Sequence, residues 1–257
     1  MEMFLKNKTI LITGTARGMG RQMVETFSSY GASIIAHARK SSEDHMQFCN
    51  QVSERNKVDI FPVYFDLESQ DDIKNAIKSI RGQKKRIDGF VNNAGITYNA
   101  LFHMSSIEEA RRQMEVNYFA PYVLAQYISK MMMRERSGSI VFISSSAALD
   151  GNSGKAAYGT SKAALRCLSN VMAEELGVYG IRVNTICPGV TQTDMLKDLP
   201  DYAYDIQLRS TFLRKVALPC DIANVAAFLL SDYASYITGQ TIRVDGGVTE
   251  YEKRKAE

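Results

Sequence analysis

The 257-residue chain has no tryptophan, three histidines, five prolines and four cysteines. Cys49, Cys167, Cys187 and Cys220 form no CxxC pair, which excludes a zinc site, a redox dithiol and a disulfide scaffold and leaves four reduced thiols. No apolar run approaches the roughly 18 residues of a membrane span. The opening MEMFLKNKTILITG lacks the basic, long apolar and small-residue regions of a signal peptide. A cytoplasmic location with no membrane partner is the expectation. Charge of one sign is also missing. With 31 Lys plus Arg against 28 Asp plus Glu, the net charge is +3, far from the clustered basic character of a nucleic-acid binder. Repeats and low-complexity tracts are absent, and 45% hydrophobic with 23% charged residues is ordinary for a globular chain, which excludes disorder and collagen.

What is present is an alternation of apolar, β-branched runs with segments of helical period, the pattern of a parallel sheet joined by crossover helices. Strands are predicted at Thr9 to Thr13, Ser33 to His37, Asp59 to Tyr64, Asp88 to Val91, Ser139 to Ser144, Ile181 to Ile186 and Thr241 to Val244. Several are almost unbroken apolar runs, as in a sheet covered on both faces. Met19, Met23, Phe27 and Tyr30 make one helical stripe, and Ile73, Ile77 and Ile80 another. Ser69 with Asp72, and Ser105 with Glu108, read as capping-box starts. The whole predicts an α/β fold, one Rossmann-type domain over residues 1–257 with a doubly wound sheet of about seven parallel strands flanked by helices. The weakly periodic stretch from about Met195 to Lys215 fits a substrate loop.

Chemistry enters at the end of the first strand. Gly14-Thr15-Ala16-Arg17-Gly18-Met19-Gly20 leads into a helix, and glycines there let the backbone approach a pyrophosphate at a helix N-terminus. Its G-x-x-x-G-x-G spacing differs from the common dinucleotide fingerprint, and a turn without a ligand is the bland alternative. After the second strand stands His37-Ala38-Arg39-Lys40, where an NAD-preferring fold carries an acidic residue. Without that carboxylate, and with Arg17 and Arg39 able to hold a 2′-phosphate, NADP(H) is favoured over NAD(H). The plain reading of Arg39 and Lys40 is a solvated charge pair.

Tyr158 and Lys162 lie one helical turn apart, close enough for the ammonium to favour the phenolate and make the phenol a proton donor at working pH. The same spacing arises by accident, as at Tyr251 and Lys255 in the charged tail. Tyr158 differs in following Ser144-Ser145-Ser146, which closes a buried-type strand at the edge where α/β ligands bind.

TGTARGMG, NNAG at Asn92 to Gly95, Asn117, the serine strand, YxxxK and PGVTQTD at Pro188 to Asp194 follow one another in an order and spacing that resemble the short-chain dehydrogenases/reductases, in their branch of roughly 250 residues. The resemblance covers nearly the whole chain. It implies Tyr158 as general acid/base, Lys162 as its pKa-lowering partner and a ribose ligand, Ser145 as the hydroxyl orienting the carbonyl, and Asn117 as holder of a relay water. Ser144 and Ser146 would be structural hydrogen-bonders. It assigns the cofactor to Gly14, Thr15, Arg17, Gly18, Met19, Gly20, His37, Arg39, Asp66, Leu67, Asn93, Ala94, Gly95, Tyr158 and Lys162. It adds Pro188, Gly189, Val190, Thr191 and Thr193, although Thr191 stands where the family more often has an aliphatic residue. Asn92 and Asn93 could equally brace the sheet edge.

The implied activity is NADPH-dependent reduction of a ketone to a secondary alcohol, or the reverse. The C-terminal FLLSDYASYITGQTIRVDGG is most similar to 3-oxoacyl-acyl-carrier-protein reductases. Substrates on an acidic carrier protein call for a basic docking patch, for which Arg134 and Arg136 are candidates, while Gly177-Val178-Tyr179-Gly180 offers no cation. Sugar, steroid or other small ketones are alternative substrates, and a non-catalytic NADPH-binding subunit is the alternative of another class. The resemblance further implies a homo-oligomer, tetramer or dimer, joined through helices around Glu109 to Arg134 and Tyr158 to Gly177 and through the last strand.

Overall fold

A computed structural model of the chain describes residues 3–82, 85–193 and 208–247. Within them β1 (Thr9–Thr13), α1 (Gly18–Ser29), β2 (Ser33–Ala38), α2 (Glu43–Asn56), β3 (Ile60–Tyr64) and α3 (Gln70–Gly82) form the first half. The second half is β4 (Gly89–Asn92), α4 (Ile107–Met114), α5 (Ala120–Glu135), β5 (Gly138–Ile143), α6 (Ala147–Asp150), α7 (Ala156–Gly177), β6 (Ile181–Pro188), α8 (Pro219–Leu230) and β7 (Thr241–Val244). Among the described residues the seven strands make one parallel sheet in the order β3-β2-β1-β4-β5-β6-β7. Every predicted strand is present. β1 and β7 have the predicted ends, and the others differ by one or two residues.

Alternation along each strand sorts the core onto two faces. Ile10, Ile12, Ile34, Ala36, Val141 and Ile143 point to one side, where Met23 and Phe27 of α1, Phe48 and Val52 of α2 and Ile222 and Ala226 of α8 cover them. Leu11, Ile35, Ile140 and Phe142 point to the other, against Ile73, Ile77 and Ile80 of α3, Leu124 and Ile128 of α5, and Leu165 and Leu176 of α7. The central residues of β1, β2, β4 and β5 are therefore apolar at consecutive positions. Pro62 sits in β3, an edge strand, where a missing N–H interrupts no inner ladder.

Two local starts differ from the sequence reading. Ser69 Oγ does accept from the Asp72 N–H at 3.2 Å, but the Asp72 carboxylate reaches past it to the Asp66 N–H. At α4 the cap is Ser106, not Ser105. Ser106 Oγ accepts the Glu109 N–H, whereas Ser105 closes the preceding 3₁₀ turn, Phe102–Met104. Overlapping S-x-x-E patterns allowed either register. Between α4 and α5 the helix continues through a π-turn, Glu115–Phe119, that no periodicity announced. Of the predicted substrate loop, residues 195–207 lie outside the described residues, as do Asp194, Tyr251 and Lys255. The part that is described docks on the end of β7, with the Phe212 N–H bound to Gly247 O at 2.7 Å and that of Leu213 to Gly246 O at 3.1 Å.

Candidate active site

Strand order reverses between β1 and β4, and a cleft of about 320 Å³ opens over the carboxyl edge of the sheet there. One end is lined by Arg39, Asp66, Leu67 and Glu68, the middle by Gly14, Arg17, Gly18 and Met19, and the far end by Ile143, Ser144, Tyr158, Lys162 and Thr193. His37, Asn93, Ala94 and Gly95 form its floor.

The middle of the cleft fits a pyrophosphate. Gly14 and Gly18 have φ of +74° and +58°, and a Cβ on Gly14 would meet Ala94 Cα at 3.0 Å. Helix α1 starts from an extended Arg17 with no side-chain cap and no acidic residue in its first turn. Helices α2 and α4 differ in having a serine cap and two acidic residues each. The N–H groups of α1 are thus left for an anion from elsewhere. Further along, a Cβ on Gly95 would meet Lys162 Nζ at 3.0 Å and Asn117 Oδ1 at 3.1 Å, so the missing side chain is what lets both close on the loop after β4.

The turn is held from below by a buried polar chain that the sequence reading did not assemble. His37 Nδ1 accepts the Gly14 N–H at 3.2 Å, and its Nε2 bonds Phe65 O at 3.0 Å, which fixes a neutral ring with the proton on Nε2. Burial pushes its pKa down to about 4. Thr15 Oγ1 donates to His37 O at 3.0 Å and meets His45 Nε2 at 2.8 Å, and His45 Nδ1 meets Tyr64 Oη at 3.2 Å. Cys49, one turn along α2, has its Sγ 3.8 Å from His45 Nε2, and burial pushes its thiol up to about 11. The H-x-x-x-C spacing of His45 and Cys49 was the available signal.

At the chemical end, burial raises the Tyr158 phenol above its ordinary value, while a hydrogen bond to Ser145 opposes the rise. The predicted lowering by Lys162 is not the direction found. The Lys162 ammonium donates to Ile143 O at 3.0 Å, and burial brings its own pKa down to about 8. Ser144 Oγ donates to Lys162 O at 2.8 Å and ties the serine strand to α7.

Several predicted residues stand behind the cleft wall instead of lining it. Thr15 is fully buried, its hydroxyl turned to His37 and His45. Gly20 lets α1 close on the turn, since a Cβ there would lie 2.1 Å from Gly14 O. Asn117, in the π-turn, clamps the loop after β4: its Oδ1 accepts the Ile96 N–H, and its Nδ2 donates to Ile96 O at 2.9 Å and to Ser161 Oγ at 3.0 Å. Pro188 O accepts the Ser146 N–H, and Gly189 packs on Asp245. Val190 O accepts the Ala217 N–H, and Thr191 Oγ1 turns back to Gly189 O.

Charge is also distributed differently from the sequence reading. Arg39 is not a free cation, because it pairs with Asp66 at 2.8 Å and with Glu68 at 3.5 Å, and Arg112 holds Glu68 from the other side. Arg134 and Arg136 lie at the wrong edge for docking at the cleft: α5 returns from the carboxyl edge to the start of β5, and Arg136 there donates to Val178 O.

Comparison with known proteins agrees with this geometry. A family model described as Enoyl-(Acyl carrier protein) reductase, of the short-chain type, matches residues 14–249. The chain is 34% identical to 3-oxoacyl-[acyl-carrier-protein] reductase of Thermotoga maritima over 246 residues, 96% of this chain and 99% of that one. A 3-oxoacyl-[acyl-carrier protein] reductase from Brucella melitensis superposes with a TM-score of 0.90 at 28% identity, covering 96% of this chain and 93% of that one. A second Brucella melitensis reductase of that name, with bound NAD, gives 0.88 at 27% identity, over 96% and 93% of the two chains.

Proposed function

The chain belongs to the short-chain dehydrogenase/reductase family and is an oxidoreductase that uses a nicotinamide cofactor; on that premise we propose that it reduces a ketone with NADPH, and that 3-oxoacyl groups on an acyl-carrier protein are substrates. The observation that carries this is a single cleft that runs from the uncapped N-terminus of α1 to Tyr158 and the buried Lys162 one helical turn beyond it.

In this reading Gly14, Arg17, Gly18 and Met19 hold the pyrophosphate, Asp66 and Leu67 the adenosine end, and Gly95, Lys162 and Thr193 the nicotinamide end. Bound NADPH supplies the hydride. Tyr158 gives its phenolic proton to the carbonyl oxygen as negative charge develops there, and Ser145 orients the same oxygen. Lys162 stabilises the phenolate that remains. Asn117 and Thr15 act one step back, by keeping Ile96 and the glycine turn in place. Arg39 at the adenosine end, with Arg17 in the neighbouring glycine turn, supports NADP over NAD, Arg39 being shared between Asp66, Glu68 and a 2′-phosphate.

We place the activity in one domain over 1–257, in the cytoplasm, with 195–215 as the substrate loop and a homo-oligomer as the working form. The direct test follows NADPH absorbance with an acetoacetyl thioester and with a keto-sugar. Turnover with the thioester, abolished in Tyr158→Phe while NADPH still binds, supports the reading. Tight NADPH binding with no turnover on any ketone sinks it.

A further inference from the structure

Thr15 is fully buried between Gly14 and Ala16, both of which line the cleft. Its N–H donates to His37 O at 2.8 Å, and its hydroxyl donates to the same oxygen at 3.0 Å. A hydroxyl has one proton and a carbonyl only accepts, so Thr15 has no proton left for His45, whose Nε2 stands 2.8 Å from Thr15 Oγ1. The ring must therefore donate there. Burial and the Arg21 cation hold the pKa of His45 below its ordinary value, against the pull of Asp44, so the ring is neutral at neutral pH. With its one proton on Nε2, Nδ1 is an acceptor, and the Tyr64 hydroxyl at 3.2 Å donates to it.

His45 lies in the first turn of α2, where its own N–H donates to the capping Ser42 Oγ at 3.2 Å. The residue before it, Asp44, accepts from Arg21 Nη1 at 2.6 Å, and that nitrogen also donates to Ala16 O at 3.3 Å. The start of α2 thus reaches both residues that follow Gly14, one through a histidine and the other through an arginine of α1. The arginine tie is exposed and contributes little, whereas the Thr15–His45 bond is buried. We infer that His45 is a positioning residue for the cofactor: by donating from Nε2 to Thr15 it holds the glycine turn in the shape that presents its N–H groups to a pyrophosphate, so that dinucleotide affinity is set from α2. The inference rests on the reading that this turn takes the pyrophosphate of a nicotinamide dinucleotide. A turn that loosens has to be re-formed by its ligand, so losing the bond weakens binding by at most what one buried neutral hydrogen bond contributes.

The test titrates the full chain with NADPH and with NADH, followed by nicotinamide fluorescence, in the wild type, His45→Asn and His45→Gln. Glutamine can place an amide N–H where Nε2 stands, whereas asparagine reaches only the place of Nδ1. His45→Asn should weaken both dinucleotides about 3- to 10-fold, the size of one neutral hydrogen bond, and His45→Gln should recover most of that loss. In a Thr15→Val background His45→Asn should add nothing, because the shared bond is already gone. NMR of the wild type, which needs no variant and has three histidines to resolve, should find His45 neutral at pH 7 with its proton on Nε2. Unchanged affinity in His45→Asn, equal weakening by asparagine and glutamine, additive losses in the double variant, or a proton on Nδ1 overturns the inference. Turnover is scored separately. If binding depends on His45 in this way but no ketone is reduced, the positioning role stands and the reductase reading is what fails.

Discussion

At the residue scale, the site depends on groups kept away from their usual charge states. His37 is neutral because a charged ring would put a second proton where the Gly14 N–H already points. Its folded pKa, about 4, is below the ordinary 6.5, so between those values the unfolded chain binds the proton first and stability falls as pH drops from 6.5 through about 4. The contribution is fully present above pH 6.5. His37→Gln should flatten this acid limb by up to about 3 kcal/mol in urea unfolding at pH 7 against pH 4.5. An equal pH dependence in both proteins would show that His37 is not the group responsible. Tyr158 is displaced the other way, since burial favours its protonated form. Ketone reduction, which consumes that proton, should hold level across neutral pH and fall only in the alkaline range, whereas alcohol oxidation should climb with pH. Profiles of kcat/KM in the two directions check this, and a reduction limb falling below pH 7 would contradict it. Arg39 gives a third residue-level outcome: Arg39→Ala should narrow the preference for NADPH over NADH, read as the ratio of their KM values, by about tenfold for one lost phosphate contact.

At the scale of elements, legibility followed the range of the forces involved. The runs that became β1 and β7 were readable to the residue at both ends. Ser105 and Ser106 each precede an acidic residue by three, and the choice between them depends on where the 3₁₀ turn Phe102–Met104 ends, which propensity does not encode. Ser106→Ala should therefore cost about 1 kcal/mol in thermal or chemical unfolding, with Ser105→Ala close to neutral. The reverse order would restore the original register. The π-turn at Asn117 was hidden for a similar reason. It is a response to Ile96 and Ser161, which lie 21 and 44 residues away in sequence and satisfy the Asn117 amide. The placement of Tyr158 and Lys162 one turn apart was legible in the helical spacing, whereas the choice of Ser145 among three serines rested on the resemblance, and Ser144 is the serine that lines the cleft. The Arg39–Asp66 pair joins loops from different crossovers, and no local pattern marks it.

At the scale of the molecule, the two edges of the sheet are treated differently. On β3, Pro62 removes a donor and blunts the edge, whereas β7 carries no proline across Thr241–Val244. Apolar side chains remain outside on the helix pair proposed to join copies: Phe119 is 46% exposed, Tyr122 38% and Val171 47%. An exposed edge and exposed apolar helices are both relieved if a second copy covers them, and a stable contact of that kind removes roughly 800 Å² from each partner. A carboxylate at Val171 would then be buried without a counter-charge, a penalty of several kcal/mol, against a negligible effect on an isolated chain where the same position faces water. Val171→Glu is thus expected to shift the protein to smaller species in sedimentation velocity at micromolar concentration, and to weaken the concentration dependence that the thermal midpoint of an oligomer has. A wild type that sediments as a monomer would remove the premise, and an unchanged oligomer in the variant would move the contact to another face.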